Sequence, residues 1–531
     1  MVTNGSSGNG KISTINVEPD DPLDGAADIE RALTETGYGK FNVFLLVAAL
    51  PVAWAGIFDT TTTAFFLASA ECELDLTFIR KGVLVSIPFI AMTLTSFLWD
   101  HVTPYVGKRN LFVLGLLADS ILNIFSTSVD SYYVMLLIKF LSGILAGGPF
   151  SMVAAYLSEF HATKYKANFT RWGGFAMNVA IVFPAIIAFL ITPLTFVVNV
   201  FDRRYSAWRV YLLLCSIVHV VGLVTASTLP QSPKFLLEIG KPNEALKLLG
   251  KMYCINLGKP ADTFPIKRLL IWKDLPLSQP SLFKANADKL RLACYNTKLL
   301  FSSPYLHAVA FLNFLQFGSM LGFHTMRLWV PHMFIILNNF DNERWNKDRA
   351  PTMCEMLDRR NTIPARDYLD CPGFDSICIQ WTIRATVYQN SAIIASSAVV
   401  FSFLAGIITT TKFRRKLIMA AAFFLSVVSS FGMNWAQSAP YMLTLASAII
   451  VTMRITGNIV TAVNVDVIPI PLRSTSLNML TAVGNVGAIV GNFAFSALLD
   501  VDCLVGFMGI GGLLFVCFCA SFFHPQSVRG S

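Results

Sequence analysis

Charge is what this sequence has least of. Only 14% of its 531 residues are Asp, Glu, Lys or Arg, against 54% hydrophobic. A soluble chain carries about 25% charged residues. So few charges cannot cover the surface of several soluble domains, and the mean hydropathy is +0.58. A disordered chain, a coiled coil and a secreted disulfide scaffold are excluded on this ground. No P-loop, zinc motif or nucleophile elbow occurs in the sequence. There is thus no sign of an enzyme, a cofactor, a bound metal or an ATP-driven pump.

What the chain has instead is long apolar runs. A spanning helix needs ~20 mostly apolar residues. Twelve runs qualify: 41–67, 82–99, 110–128, 133–155, 172–198, 207–229, 305–337, 383–411, 417–436, 440–463, 477–498 and 502–523. None alternates as the short strands of a membrane β-barrel do. The expected fold class is an all-α membrane protein with twelve transmembrane helices. No basic stretch precedes a short apolar core at the N-terminus, so the first span is expected to act as an uncleaved insertion signal.

The Lys/Arg bias sets the orientation. Residues 230–304 hold twelve Lys/Arg against five Asp/Glu, most of the net +9 of the whole chain. The positive-inside rule explains this basic loop without invoking nucleic acid. Loops 129–132, 437–439 and 499–501 contain no Lys or Arg. Both termini are therefore expected in the cytoplasm. The organisation reads as a polar N-terminus 1–40, a six-helix half 41–229, a basic cytoplasmic linker 230–304, a second half 305–523 with an outer loop 338–382, and a tail 524–531.

Six helices plus six suggests a duplicated unit. Glu159 and Lys166 follow the fourth span seven residues apart, and Asp466 and Arg473 follow the tenth with the same spacing, 307 residues on. The same offset carries Lys108 and Arg109 onto Arg415 and its neighbours Arg414 and Lys416. Acids contribute little to orientation, so Glu159 and Asp466 need another role. Paired with Lys108 or Arg109, and with Arg414 or Arg415, they would latch the inner helix ends as a cytoplasmic gate, to which Lys166 and Arg473 are also assigned. For Lys164, Arg171 and Lys412 orientation is explanation enough.

Of ten cysteines, Cys215, Cys254, Cys294, Cys503, Cys517 and Cys519 fall in spans or the cytoplasmic loop and read as reduced. Cys72, Cys354, Cys371 and Cys378 fall in outer loops. Four cysteines allow three pairings; the expectation is two disulfides, one tying loop 71–81 to loop 338–382.

The pattern resembles the major facilitator superfamily. Tyr156-Leu-Ser-Glu159-Phe…Lys166 is similar to its acidic-then-basic signature after the fourth helix, with Asp466…Pro469…Arg473 as the second copy. Leu229-Pro-Gln-Ser-Pro-Lys-Phe-Leu236 resembles a segment after the sixth helix of sugar-porter-like members, and Arg327-Leu-Trp-Val-Pro331 with Thr386-Val-Tyr-Gln-Asn-Ser391 resembles the synaptic vesicle glycoprotein 2-like branch. The loop Trp99–Arg109 keeps the basic half of the superfamily signature but has Asp100 and Pro104 at its Gly and Asp positions. The resemblance implies a secondary-active or facilitative transporter that moves a small organic solute by alternating access. A membrane receptor retaining the fold is the alternative.

An ionisable group in lipid costs at least ~2.5–3.5 kcal/mol and is a functional candidate by default. Five occur inside spans: Asp59, Asp119, Lys139, Arg327 and Arg454. The resemblance implies that helices one, four, seven and ten line the central cavity, which places all but Asp119 on it. Asp119 and Lys139 could form a structural pair, or Lys139 could face the cavity. Asp59 could bind a cation or proton, pair with Lys139, or reach an arginine. Arg327 and Arg454 have no obvious acid in their half, and an unpaired buried arginine calls for an anion. His324 shares the face of Arg327. His219, His307 and His332 read as packing residues. The substrate cavity is thus assigned to Asp59, Lys139, His324, Arg327 and Arg454, and the solute to an organic anion or a sugar-like molecule. Proton or sodium as coupling ion, and plasma or vesicle membrane as location, stay open.

Overall fold

Apolar segments of this length satisfy their backbone in lipid only by closing their own hydrogen bonds, so the runs fold as helices. The computed structural model describes residues 26–269 and 295–523, apart from 149, 195–196, 201–202, 296, 341–348, 363–382 and 410. Among the described residues eleven helices are long and apolar enough to cross a membrane. A further apolar helix, Tyr132–Gly147, is shorter. It ends at Gly148, and the chain continues through Phe150–Met152 into Val153–Ser158. This broken element occupies the fourth position.

Three boundaries depart from the sequence reading. The second span begins at Phe78, where the Thr77 hydroxyl accepts from the Arg80 amide, and runs to Val106. The fifth ends at Ile191: Thr192 makes the last helical bond, to the Ala188 carbonyl, and Pro193 has no amide hydrogen to continue the ladder. Val197–Val200 then pairs antiparallel with Arg203–Ser206, so the end of the run 172–198 is not helical. The seventh is one helix, Leu306–Asn339, of 34 residues. At ~1.5 Å per residue it is about 51 Å long and must project beyond a hydrocarbon layer of ~30 Å.

The first six spans pack mainly on one another, as do the last six, and the second meets the eleventh and the fifth the eighth where the two sets join. Small residues set the closest approaches. A Cβ on Gly143 would lie 2.7 Å from the Pro88 backbone, joining the fourth helix to the second. One on Gly487 would lie 2.5 Å from the Phe317 carbonyl, joining the eleventh to the seventh. Gly174 has nothing within 4 Å, so the Gly173-Gly174 pair does not serve this purpose.

The first part of the linker is structured. Helices Pro233–Glu238 and Pro242–Leu257 lie against the first half. Asn256 donates to the Thr36 and Gly37 carbonyls, both at 3.2 Å, and accepts from the Phe41 amide at 3.0 Å. These bonds fix the linker to the entry of the first span.

Candidate functional site

The two halves meet around a small central cavity whose lining includes Thr61 and Phe65 of the first helix, Ile181, and Phe323, Arg327 and Ile394 of the second half. At about 20 Å³ it has room for little more than a water. Arg327 Nη1 donates to Thr61 Oγ1 across the join at 3.0 Å. Its Nη2 lies 3.4 Å from His324 Nδ1, one helical turn earlier. Arg454 of the tenth helix also reaches across, donating to Asn178 Oδ1. Both guanidinium carbons lie 5.3 Å from the centre of the Phe323 ring. Neither arginine has an ion-pair partner among the described residues.

Asp59 and Lys139 lie elsewhere. They belong to a buried cluster inside the first half, built by the first, third, fourth and sixth helices. Asp59 Oδ1 accepts from Asn123 Nδ2 at 3.1 Å and lies 3.2 Å from His219 Nε2. Asp119 Oδ2 is 3.3 Å from the same imidazole nitrogen, and Asn123 also donates to Asp119 Oδ1 at 3.1 Å. Lys139 is fully buried, interacts electrostatically with both carboxylates, and has no hydrogen-bond partner for its ammonium. The assignment of Asp59 and Lys139 to the cavity lining is therefore corrected. Each sits on a cavity helix but on the face turned into its own bundle, where Asp59 finds Asn123 and His219. Asp59 does not reach either arginine.

His219 was the residue missed. Read alone it is a packing histidine; its role depends on two carboxylates from helices distant in sequence. Asn123 carried a faint signal, standing one helical turn from Asp119 on the same face. One ligand atom each of Asp59, Asp119 and His219 fall within 4.8 Å of one another. That donor set is of metal-binding type, but Lys139 already supplies positive charge there, which disfavours a divalent cation.

At the basic end of the bundle Lys108 pairs with Glu159, and Arg415 with Asp466. Each pair stays within its own half. Arg109 donates to the Ser227 carbonyl at 2.8 Å instead, and Arg414 makes no ion pair among the described residues, its backbone amide donating to the Thr411 hydroxyl. Lys166 approaches Glu30 at 3.9 Å. Arg473 makes no ion pair among the described residues. Among the described residues the acid-then-base spacing of seven thus does not produce acid–base contacts; the pairs form with bases in the first turns of the third and ninth helices.

At the opposite end two contacts cross between the halves, and a third group ties the first half to itself. Lys81, in the first turn of the second helix, pairs with Glu71 at 2.7 Å and lies 3.5 Å from His332 of the seventh. Tyr388 donates to the Phe65 carbonyl at 3.0 Å. Arg209 gathers Glu73, Asp130 and the Thr127 and Val129 carbonyls.

Cys354 is joined to Cys503, so the reading of Cys503 as reduced is corrected. Cys503 is the first residue of the twelfth helix, at the same end as the loop bearing Cys354, not inside the apolar span. Cys72 is also disulfide-bonded, and Cys371 and Cys378 lie outside the described residues.

Comparison with solved structures decides the architecture. The partially occluded inward-open xylose transporter XylE from E. coli superposes with a TM-score of 0.61 over 92% of this chain and 100% of that one, at 13% identity. The chain has the major facilitator fold. A D-xylose-proton symporter superposes on it with a TM-score of 0.59 over 92% of this chain and 99% of that one, at 12% identity. Residues 52–262 match the sugar (and other) transporter family. Synaptic vesicle glycoprotein 2A of Rattus norvegicus is 30% identical over 253 residues, 46% of this chain and 34% of that protein. Synaptic vesicle glycoprotein 2B of Homo sapiens is 26% identical over 251 residues, 46% of this chain and 36% of that protein. The match thus spans about a third of the length of these relatives.

Proposed function

We propose that this chain is a transmembrane transporter of a small organic solute, working by alternating access. Two halves, 41–229 and 305–523, rock about a central site at Arg327, His324 and Arg454. The observation that carries this reading is the pair of bonds from the second half to the first, Arg327 to Thr61 and Arg454 to Asn178. They cross the join beside a cavity too small for a solute, so admitting one requires them to part. The match of residues 52–262 to the sugar (and other) transporter family supports the same reading.

In this proposal the Lys108–Glu159 and Arg415–Asp466 pairs belong to a gate at the cytoplasmic face, and both termini lie in the cytoplasm. The membrane is the plasma membrane or that of an intracellular vesicle. The Asp59–Asp119–His219–Lys139 cluster is the place in the first half where a coupling proton or sodium ion would act. The test is uptake by purified chain in proteoliposomes, measured with radiolabelled hexoses and carboxylates. Saturable uptake of at least one is expected. Saturable binding with no uptake of any bound solute would leave a receptor in place of a transporter.

A further inference from the structure

We infer that the central site recognises a small carboxylate, seated between the guanidinium groups of Arg327 and Arg454. The inference rests on the central site proposed above but not on its transport cycle.

The argument is one of charge and unused donors. A guanidinium carries five N–H donors and stays ionised in proteins. Arg327 gives one to Thr61 and approaches the His324 imidazole with another, while its Nε is buried without a partner. Arg454 gives one to the Asn178 side chain. Thr61, Asn178 and the Phe323 ring are neutral, so two positive charges converge on one phenyl ring with no carboxylate to answer them. The buried acids of the first half are engaged by His219 and Asn123. Two desolvated cations side by side repel, and an anion placed between them relieves that repulsion.

The planar fork of arginine matches a carboxylate through paired N–H···O bonds. Apart from Ser391, whose hydroxyl donates to the Val387 carbonyl of its own helix, the rest of the lining is apolar, with Phe65, Ile181, Ile394 and Ile450. It suits a hydrocarbon or aromatic body better than the several hydroxyls of a sugar, each of which would need a partner. Thr61 and Asn178 occupy donors that the carboxylate would take over. Binding then exchanges bonds between the halves for bonds to the ligand.

The experiment is thermal stabilisation of the purified full chain by benzoate, succinate and glucose at matched ionic strength. Benzoate or succinate should raise the melting temperature saturably, and glucose should not. Arg327→Gln and Arg454→Gln should each weaken the apparent affinity at least tenfold. If a glutamine variant does not fold, Arg327→Lys and Arg454→Lys keep the charge while losing the fork, and should weaken binding similarly. Two results overturn the inference: no saturable shift with either carboxylate up to ~10 mM, an affinity of about 3 kcal/mol, or a shift indifferent to all four variants. Either would leave the transport reading standing, since uptake of a neutral solute would still establish it. Carboxylate binding without uptake would sink transport and keep this inference.

Discussion

Cys354 and Cys503, 149 residues apart in sequence, are joined by a disulfide. It ties helix Met353–Thr362, which follows the seventh span, to the first residue of the twelfth. The Met353 amide also donates to the Ala436 carbonyl at 2.9 Å, so the loop is held against the turn between the ninth and tenth helices as well. Closing a loop of this length contributes up to about 5 kcal/mol in the chain-entropy account. Cys503→Ser should lower the melting temperature, and peptide mapping of unreduced, alkylated protein should recover the two cysteines linked. Recovery of both as alkylated free thiols would end this assignment.

The two pairs at the basic end differ in exposure. Lys108 and Glu159 have 20% and 17% of their side chains exposed, whereas Asp466 is 50% exposed. Exposed pairs contribute at most about 1 kcal/mol. A double-mutant cycle with Lys108→Met and Glu159→Gln should therefore give a larger coupling energy than one with Arg415→Met and Asp466→Asn. Equal or reversed coupling energies in thermal or denaturant unfolding would contradict this.

The buried cluster makes a sharper prediction. His219 stands between two carboxylates with no water-accessible side. His219→Leu leaves Asp59 and Asp119 facing each other and should destabilise the protein by about 3–5 kcal/mol. Adding Asp119→Asn should recover part of that loss by removing one charge. Asp59→Asn should not repair an Arg454→Gln protein, because the two side chains belong to separate groups. Such a repair, seen in melting temperature, would show that the cluster and the cavity are coupled.

His161 supplies a pH dependence outside the membrane. Burial pushes its imidazole below the usual histidine range; the Leu157 carbonyl opposes this, and Lys166 adds to it. The ring stacks on Phe169 at 3.9 Å, and Nε2 is buried without a partner. In the folded chain the neutral form is therefore favoured. The unfolded chain takes up the proton first as pH falls below about 6.5, so stability is full above that pH and is lost on acidification. Glu30 acts in the same direction in a lower window. Burial works against its charge, but the Thr163 bonds and Lys166 hold its carboxyl below the usual range. Between pH 7.5 and 5.5 the native protein should lose more stability than His161→Phe, by on the order of 1 kcal/mol. Identical pH profiles for the two proteins would refute the assignment.

The helical fold was legible in the sequence because the bilayer leaves so few solutions. A run of about twenty apolar residues must be a helix. The seven-residue spacing repeated at an offset of 307 singled out Glu159 and Asp466, and in each pair the base is one of the two residues named for it, Lys108 and Arg415. Arg327 and Arg454 stood out because charge in lipid is expensive. Tertiary structure decided which way each interior charge points. Hydrophobicity runs all round a buried helix, so no period separates the face turned to the cavity from the face turned into the bundle. Asp59 and Arg327 look alike as interior charges in the sequence, yet Asp59 closes on His219 and Asn123 within its own half, and Arg327 crosses to Thr61. Cys503 shows the same limit: whether a cysteine at a span boundary meets a partner is a matter of Cα separation, here 5.3 Å, which only the packing of distant helix ends can set.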